Sequence, residues 1–107
     1  MVTHPAGIAF DGANMWVVNS GANSVIKVTS SGQVAQTIAV GQHPMSIAFD
    51  VNNRWVTNPR SNNVTKIRVG DGVVLGTYPV GAGPTGIAFD GANIWVANTG
   101  GKTLTKL

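Results

Sequence analysis

Three aspartates and two histidines are the side chains whose types and spacing in this sequence suggest chemistry. Asp11, Asp50 and Asp90 recur at one point of a repeated phrase, and three converging carboxylates could hold a divalent cation. His4 and His43 each precede a proline, and an imidazole, which titrates near neutral pH, could act as a ligand or a general base. The chain has no glutamate and no cysteine, which excludes thiolate catalysis and a cysteine-based zinc site.

The aspartates are better explained as turn residues. Each begins a turn-like tetrapeptide, Asp-Gly-Ala-Asn at 11–14 and 90–93 and Asp-Val-Asn-Asn at 50–53. Asp and Asn in such positions accept backbone hydrogen bonds and tolerate left-handed geometry. Calcium or magnesium would need about six oxygen ligands. We therefore predict no metal site, no cofactor and no catalytic residue.

Four residues are predicted to bind a ligand: His4, His43, Arg54 and Arg60. The middle copy of the repeat departs most from the others, with Arg54 at an apolar position and Asn58-Pro59-Arg60 in place of Asn-Ser-Gly or Asn-Thr-Gly. Departures from a repeat are where function is grafted onto a scaffold, and arginines could engage an anionic partner. Sequence drift at the arginines and a plain loop role for the histidines are the alternatives.

The repeat itself determines which elements must position these residues. The phrase Gly-Ile-Ala-Phe-Asp-Gly-Ala-Asn-x-Trp-Val occupies 7–17 and 86–96, with a rougher copy at 46–56. A period near 40 residues is typical of repeat architectures, in which each unit buries its apolar face against a neighbour. We divide the chain into units at 4–42, 43–82 and 83–107.

Each unit reads as a meander of short strands rich in Val, Ile, Thr and aromatic residues, separated by Gly and Asn turns. We predict an all-β fold with strands at 7–10, 15–19, 24–29, 34–40, 46–49, 54–58, 63–69 and 73–80. The third unit ends with its third strand, which gives about 2.75 units. Four-stranded antiparallel units of this length are the blades of β-propellers. Trp16, Trp55 and Trp95 share one position and are predicted to pack between blades, each indole N–H finding an acceptor.

The motifs Pro-x-Gly-Ile-Ala-Phe-Asp-Gly-Ala-Asn-x-Trp-Val-x-Asn, Asn-x-Val-x-Lys-Val/Ile and Thr-Ile-x-Val-Gly resemble the YVTN-type repeat propellers. That group is similar to NHL-repeat and virginiamycin B lyase-like propellers. The resemblance implies a surface-layer protein, a binding module or a lyase, and an extracytoplasmic or cell-surface location. In the lyases a histidine falls between the Pro and the Gly-Ile of some repeats, where this chain has Ala6, Met45 and Thr85. We therefore favour a non-catalytic binding scaffold, the alternative being a lyase or hydrolase whose site is assembled at the channel across subunits.

Charge and hydropathy limit the partners. The net charge is +3, but the basic residues are scattered, whereas binding to a phosphate backbone needs a concentrated patch. No run approaches the roughly 18 apolar residues of a membrane helix, and residues 1–5 do not resemble a signal peptide. We predict neither a nucleic acid nor a membrane as partner.

The number of blades indicates whether the chain assembles with copies of itself. Propellers close with four to eight blades, and three blades alone would expose an apolar face at each end. Either two copies form a six-bladed homodimer by cyclic symmetry, or the chain is part of a longer propeller. We predict the homodimer, with a protein or small ligand at its channel mouth.

Overall fold

Eleven strands form the part of the chain that the structure, a computed structural model, describes, residues 4–107. A single turn of 3-10 helix at Ser20–Ala22 interrupts them. The strands are β1 Pro5–Phe10, β2 Met15–Asn19, β3 Ser24–Val28, β4 Val34–Ala39, β5 Ile47–Phe49, β6 Asn53–Asn58, β7 Asn63–Arg68, β8 Val74–Pro79, β9 Pro84–Phe89, β10 Ile94–Asn98 and β11 Thr103–Lys106. The predicted all-β fold is confirmed, and each predicted strand boundary lies within two residues of the observed one.

Each sheet draws its strands from one repeat. The orders are β1-β2-β3-β4, β5-β6-β7-β8 and β11-β10-β9, and every neighbouring pair is antiparallel. The third sheet has three strands, as the sequence predicts. Strand β1 lies beside β5, and β5 and β6 lie beside β9, so the first strand of each repeat lies next to that of its neighbour.

Two apolar clusters join the three sheets. The first combines buried residues of the first and second repeats: Trp16, Val18, Val25, Ile38, Val56 and Ile67. The second does the same for the second and third repeats: Trp55, Val64, Ile94 and Val96. The core of this protein therefore lies between sheets, because one side of each meander is buried by the next sheet.

Within residues 4–107, no helix has the length and apolar character that a membrane crossing requires.

Candidate functional site

The antiparallel order gives the molecule two ends of different composition. At one end lie the segments that lead into each sheet, residues 4–5, 41–44 and 81–84, together with the β2–β3, β6–β7 and β10–β11 turns. We call this the lead-in end. At the other end lie the turns that begin at Asp11, Asp50 and Asp90 and the β3–β4 and β7–β8 turns, and we call this the Asp-turn end.

Each repeated aspartate closes its own turn and binds the tryptophan that follows it. Asp11 accepts the backbone N–H groups of Ala13 at 2.8 Å and Asn14 at 2.7 Å through Oδ1. Its Oδ2 accepts the indole N–H of Trp16 at 2.7 Å. The same three bonds recur at the second and third turns, with indole bonds of 2.7 Å and 2.6 Å. The aspartates act as turn residues, and the predicted indole acceptor is the carboxylate five residues earlier.

These hydrogen bonds hold the carboxylates in the ionised form. For Asp11, desolvation by burial favours the neutral acid, but the bonds from Asn14, Trp16 and Ala13 and the charge of Arg54 outweigh it and lower its pKa to about 2. For Asp90, the bond from the Asn93 backbone contributes most to lowering the pKa to about 2. A carboxylate held in this way cannot carry a proton near neutral pH, as a general acid must.

Arg54 lies at the Asp-turn end, buried between the first two sheets. Its Nη2 is 3.5 Å from Oδ2 of Asp11, and its guanidinium carbon lies 3.7 Å from the centroid of the Phe49 ring. Nη1 donates to the backbone carbonyl of Asn53 at 3.1 Å, whereas Nε has no partner. Burial lowers the pKa of Arg54, opposed by the Asp11 carboxylate. Arg54 therefore faces another part of its own chain, and ligand binding by it stays a prediction.

A lysine lies over each tryptophan. Lys27, Lys66 and Lys106 stand directly across the sheet from Trp16, Trp55 and Trp95. Their ammonium groups lie 5.7, 5.0 and 5.7 Å from the centroids of the indole rings. These distances are within the range of cation–π attraction. Three of the seven basic residues are thus engaged in this repeated Asp–Trp–Lys arrangement.

At the lead-in end, one hydrogen bond joins the segment that contains His43 to the turn that contains Arg60. The backbone N–H of Gln42 donates to Oγ of Ser61 at 2.9 Å, so the residues adjoining that bond, His43 and Arg60, flank one contact. His43 has a left-handed backbone with φ 56°, and its N–H donates to Oδ1 of Asn23 in the preceding sheet at 2.9 Å. Arg60 is exposed. Ligand binding by His43 and Arg60 stays a prediction.

His4 lies at the same end, in the segment that leads into the first sheet. Its carbonyl accepts the backbone N–H and the hydroxyl of Ser20 at 3.0 and 2.9 Å. Lys102 is exposed at the equivalent turn of the third sheet, with φ 54°. All four acidic residues of the chain, Asp11, Asp50, Asp71 and Asp90, lie at the Asp-turn end. The lead-in end therefore carries histidine and basic side chains without a carboxylate to neutralise them.

Two residues of this end were missed by sequence reasoning, Asn23 and Asn62. Both adopt left-handed backbones, with φ 53° and 54°, and their side chains accept the N–H of His43 and Gly83 from the next lead-in segment. The signal was present, since an Asn precedes the third strand in the first two repeats and Lys102 replaces it in the third. Its role depends on contact with the next sheet, which the sequence alone does not show.

Among residues 4–107, no group of three His, Cys, Asp or Glu side chains is placed to hold a metal ion. The carboxylates recur one per sheet and are each bound to a tryptophan of their own repeat.

Comparison with known proteins identifies the architecture. No protein-family model and no curated protein matches the sequence. Among solved structures, the chain is similar to the hydrazine synthase of Kuenenia stuttgartiensis, with 26% identity over 92% of this chain and 31% of that chain and a TM-score of 0.83. It is also similar to virginiamycin B lyase from Staphylococcus aureus, with 24% identity over 95% of this chain and 36% of that chain and a TM-score of 0.82. A putative 6-phosphogluconolactonase from Bacteroides uniformis matches with 15% identity over 96% of this chain, 40% of that chain and a TM-score of 0.76.

These similarities support the propeller-type fold that the repeat predicts, and the three sheets are its blades. The chain spans between 31% and 40% of the length of these structures. Their identities are too low to carry an activity across, and the YVTN and NHL resemblance stays a prediction.

Proposed function

We propose that this chain is a non-catalytic β-propeller scaffold whose lead-in end binds an anionic group of a protein or small ligand. The proposal places the binding surface at the first junction between blades, where His43 and Arg60 flank the bond between Gln42 and Ser61. A guanidinium and an imidazole N–H are suited to carboxylates and phosphates because both donate hydrogen bonds that the charge of the anion strengthens.

The backbone of His43 is the observation that carries the proposal. A left-handed conformation in a residue other than glycine costs free energy and persists where the surrounding structure enforces it, often at functional sites. The third repeat has Gly83 at the equivalent position, with φ 61°, which shows that glycine satisfies the fold there. His43 thus occupies a position at which glycine would be less strained, and it offers there an imidazole that glycine lacks.

The distribution of charged residues also favours the lead-in end as the binding surface. Arg68 and Asp71 pair with each other at the Asp-turn end, with bonds of 3.0 and 2.6 Å, whereas Arg60 is exposed at an end that has no carboxylate. An unpaired surface arginine attracts anions at a range set by ionic strength. The lead-in end is thus the surface of this chain best suited to an anionic partner.

A lyase is less well supported by the residues present. Every acidic side chain is engaged in its own turn, with a tryptophan or with Arg68. The positions at which the lyase resemblance would place a histidine are Ala6, Met45 and Thr85. The similarity to virginiamycin B lyase is accounted for by the fold.

The test is a titration of the protein with hexaglutamate and, separately, with inorganic phosphate, followed by calorimetry at low and high salt. We expect His43→Gly and Arg60→Gly each to weaken binding about tenfold, the effect of one charge-assisted hydrogen bond. Both variants copy residues that other repeats use, Gly83 and Gly21, and their stability should stay within about 1 kcal/mol of the parent.

Arg68→Ala is the matched control, because it removes an exposed arginine from the opposite end. It should bind both probes as the parent does. The proposal is wrong if neither probe binds the parent, or if Arg68→Ala weakens binding as much as Arg60→Gly.

A further inference from the structure

The two junctions inside the chain follow one pattern. At each, a blade presents an outgoing face built on its tryptophan and on an apolar residue of its third strand, Val25 or Val64. The next blade presents an incoming face built on an Ile and a Phe of its first strand. In the first junction Ile47 and Phe49 pack against the cluster that contains Trp16. In the second, the pattern repeats with Ile87, Phe89 and Trp55.

One face of each kind has no partner among residues 4–107. The incoming face of the first blade leaves Ile8 and Phe10 64% and 60% exposed, although Ile47 and Phe49 are partly buried. The outgoing face of the third blade leaves Trp95 37% and Leu104 70% exposed, although Trp16 is fully buried. Single apolar residues on a surface are normal, whereas large apolar side chains grouped on one face mark an interaction site.

We propose that these two faces bind each other between two copies of the chain, the incoming face of one copy docking on the outgoing face of the other. The arrangement is head-to-tail, and two such junctions related by a two-fold axis would close a ring of six blades. A ring of that number lies within the range of four to eight blades that propellers use. The partner is a second copy because the chain itself carries both halves of an interface that it already forms twice.

The cavity beside Leu104 is the expected seat for the second copy. It has a volume of about 430 Å³ and is lined by Ala97, Asn98, Thr99, Lys102, Thr103 and Leu104. The equivalent residues of the second blade are Thr57, Asn62 and Val64. There, the Asn62 side chain accepts the N–H of Gly83 and the Thr57 hydroxyl donates to the carbonyl of Thr85. In the second blade, this place is filled by the lead-in segment of the third blade. The lead-in segment of a second copy would fill the equivalent place in the third blade.

The polar groups of the two docking faces are compatible with this arrangement. Inside the chain, the lead-in N–H at His43 or Gly83 donates to an asparagine of the preceding blade. The third blade has Lys102 at that position and offers no acceptor. The lead-in N–H of the first blade needs no acceptor from another copy, because the N–H of His4 donates to Oδ1 of Asn19 in its own sheet at 3.1 Å. The intermolecular junction would therefore bury no unsatisfied lead-in N–H.

The experiment is a measurement of molecular mass by analytical ultracentrifugation over a range of micromolar concentrations. We expect a dimer of about twice the 11.0 kDa chain. Phe10→Lys and Leu104→Lys should each raise the dissociation constant at least about 30-fold, as loss of a central interface anchor does. Both side chains are exposed in the single chain, so the monomer should keep its circular dichroism spectrum and thermal midpoint.

Val51→Lys is the matched control, since Val51 is an 81% exposed apolar residue in a turn at the Asp-turn end. It should dimerise as the parent does. A mixture of Phe10→Lys and Leu104→Lys should form a heterodimer, because one junction then joins two unaltered faces. A parent that stays monomeric at about 100 µM overturns the proposal and assigns the faces to another chain segment or protein. Lysine variants that dimerise like Val51→Lys overturn it as well.

Discussion

The guanidinium of Arg54 reaches across the first junction to the carboxylate of Asp11, with Nη2 and Oδ2 3.5 Å apart and both side chains more than nine-tenths buried. The equivalent of Arg54 is Met15 in the first repeat and Ile94 in the third. Among the described residues, the ion pair therefore occurs at the first junction and not at the second, where Ile94 takes the place of the arginine. A buried arginine is costly unless its charge is compensated, so Asp11 has a second role that Asp90 lacks.

The first prediction concerns this pair. Asp11→Asn should destabilise the protein by about 2–3 kcal/mol, because the buried Arg54 then loses its paired carboxylate. Asp90→Asn removes the same negative charge and indole acceptor from a site without an arginine and should cost distinctly less. Denaturant unfolding of both variants measures the difference, and equal costs would contradict the assigned role of Arg54.

Arg54→Met should by contrast be tolerated. Asp11 keeps its bonds from Ala13, Asn14 and Trp16, and methionine occupies the equivalent position in the first repeat. In a double-mutant cycle, Asp11→Asn should cost less in the Arg54→Met background than in the parent. Additive costs would show that the two side chains do not interact.

The second prediction is loss of stability in acid. Asp11 and Asp90 have pKa values lowered to about 2 in the folded chain, and the pKa of Asp50 is also lowered. The unfolded value is about 3.9. Because the folded state binds protons more weakly, its stabilisation is complete above about pH 4 and is lost as pH falls from there to about 2. Unfolding free energies measured between pH 6 and 2 test this, and Asp90→Asn should make the pH dependence shallower.

The third prediction concerns the close approach of a lead-in segment to the blade that it enters. A Cβ at Gly41 would lie 2.6 Å from Cγ and 2.7 Å from Cβ of Asn58, a buried side chain bonded to Asn63 and Thr65. Gly41→Ala should therefore destabilise the protein by about 1–3 kcal/mol. Gly70→Ala is the control, because no atom lies within 4 Å of the added carbon. Thermal unfolding that ranks Gly70→Ala as the more damaging would contradict the packing.

The fourth prediction uses the unequal exposure of the tryptophans. Variants that retain only Trp16 or only Trp95, the others replaced by Phe, should differ in acrylamide quenching. Trp16 is buried by the second blade, whereas Trp95 is 37% exposed in the described part of the chain. Quenching of Trp95 should be strong in dilute protein and decrease at concentrations where two copies associate. Quenching of Trp16 should be weak throughout. Trp95 emission that is quenched equally at all concentrations would argue against the head-to-tail junction.

Sequence alone determined the local structure of this protein. The period near 40 residues, the apolar strand phrase and the Asp-Gly-Ala-Asn turns predicted the strand order and the missing strand of the third sheet, because pairing within a meander is local and each turn carries its own acceptor. The turn role of Asp90 and the interblade packing of Trp16 followed from position in the repeat alone.

Tertiary structure decided how residues of different repeats meet. Arg54 was singled out from its deviation in the repeat, but its burial against Asp11 depends on which face the next sheet covers. The left-handed backbone of His43 and its bond to Asn23 likewise join two repeats. Residues that are distant in sequence have no periodic signal for their contact, so only the packing of one blade on the next could reveal them.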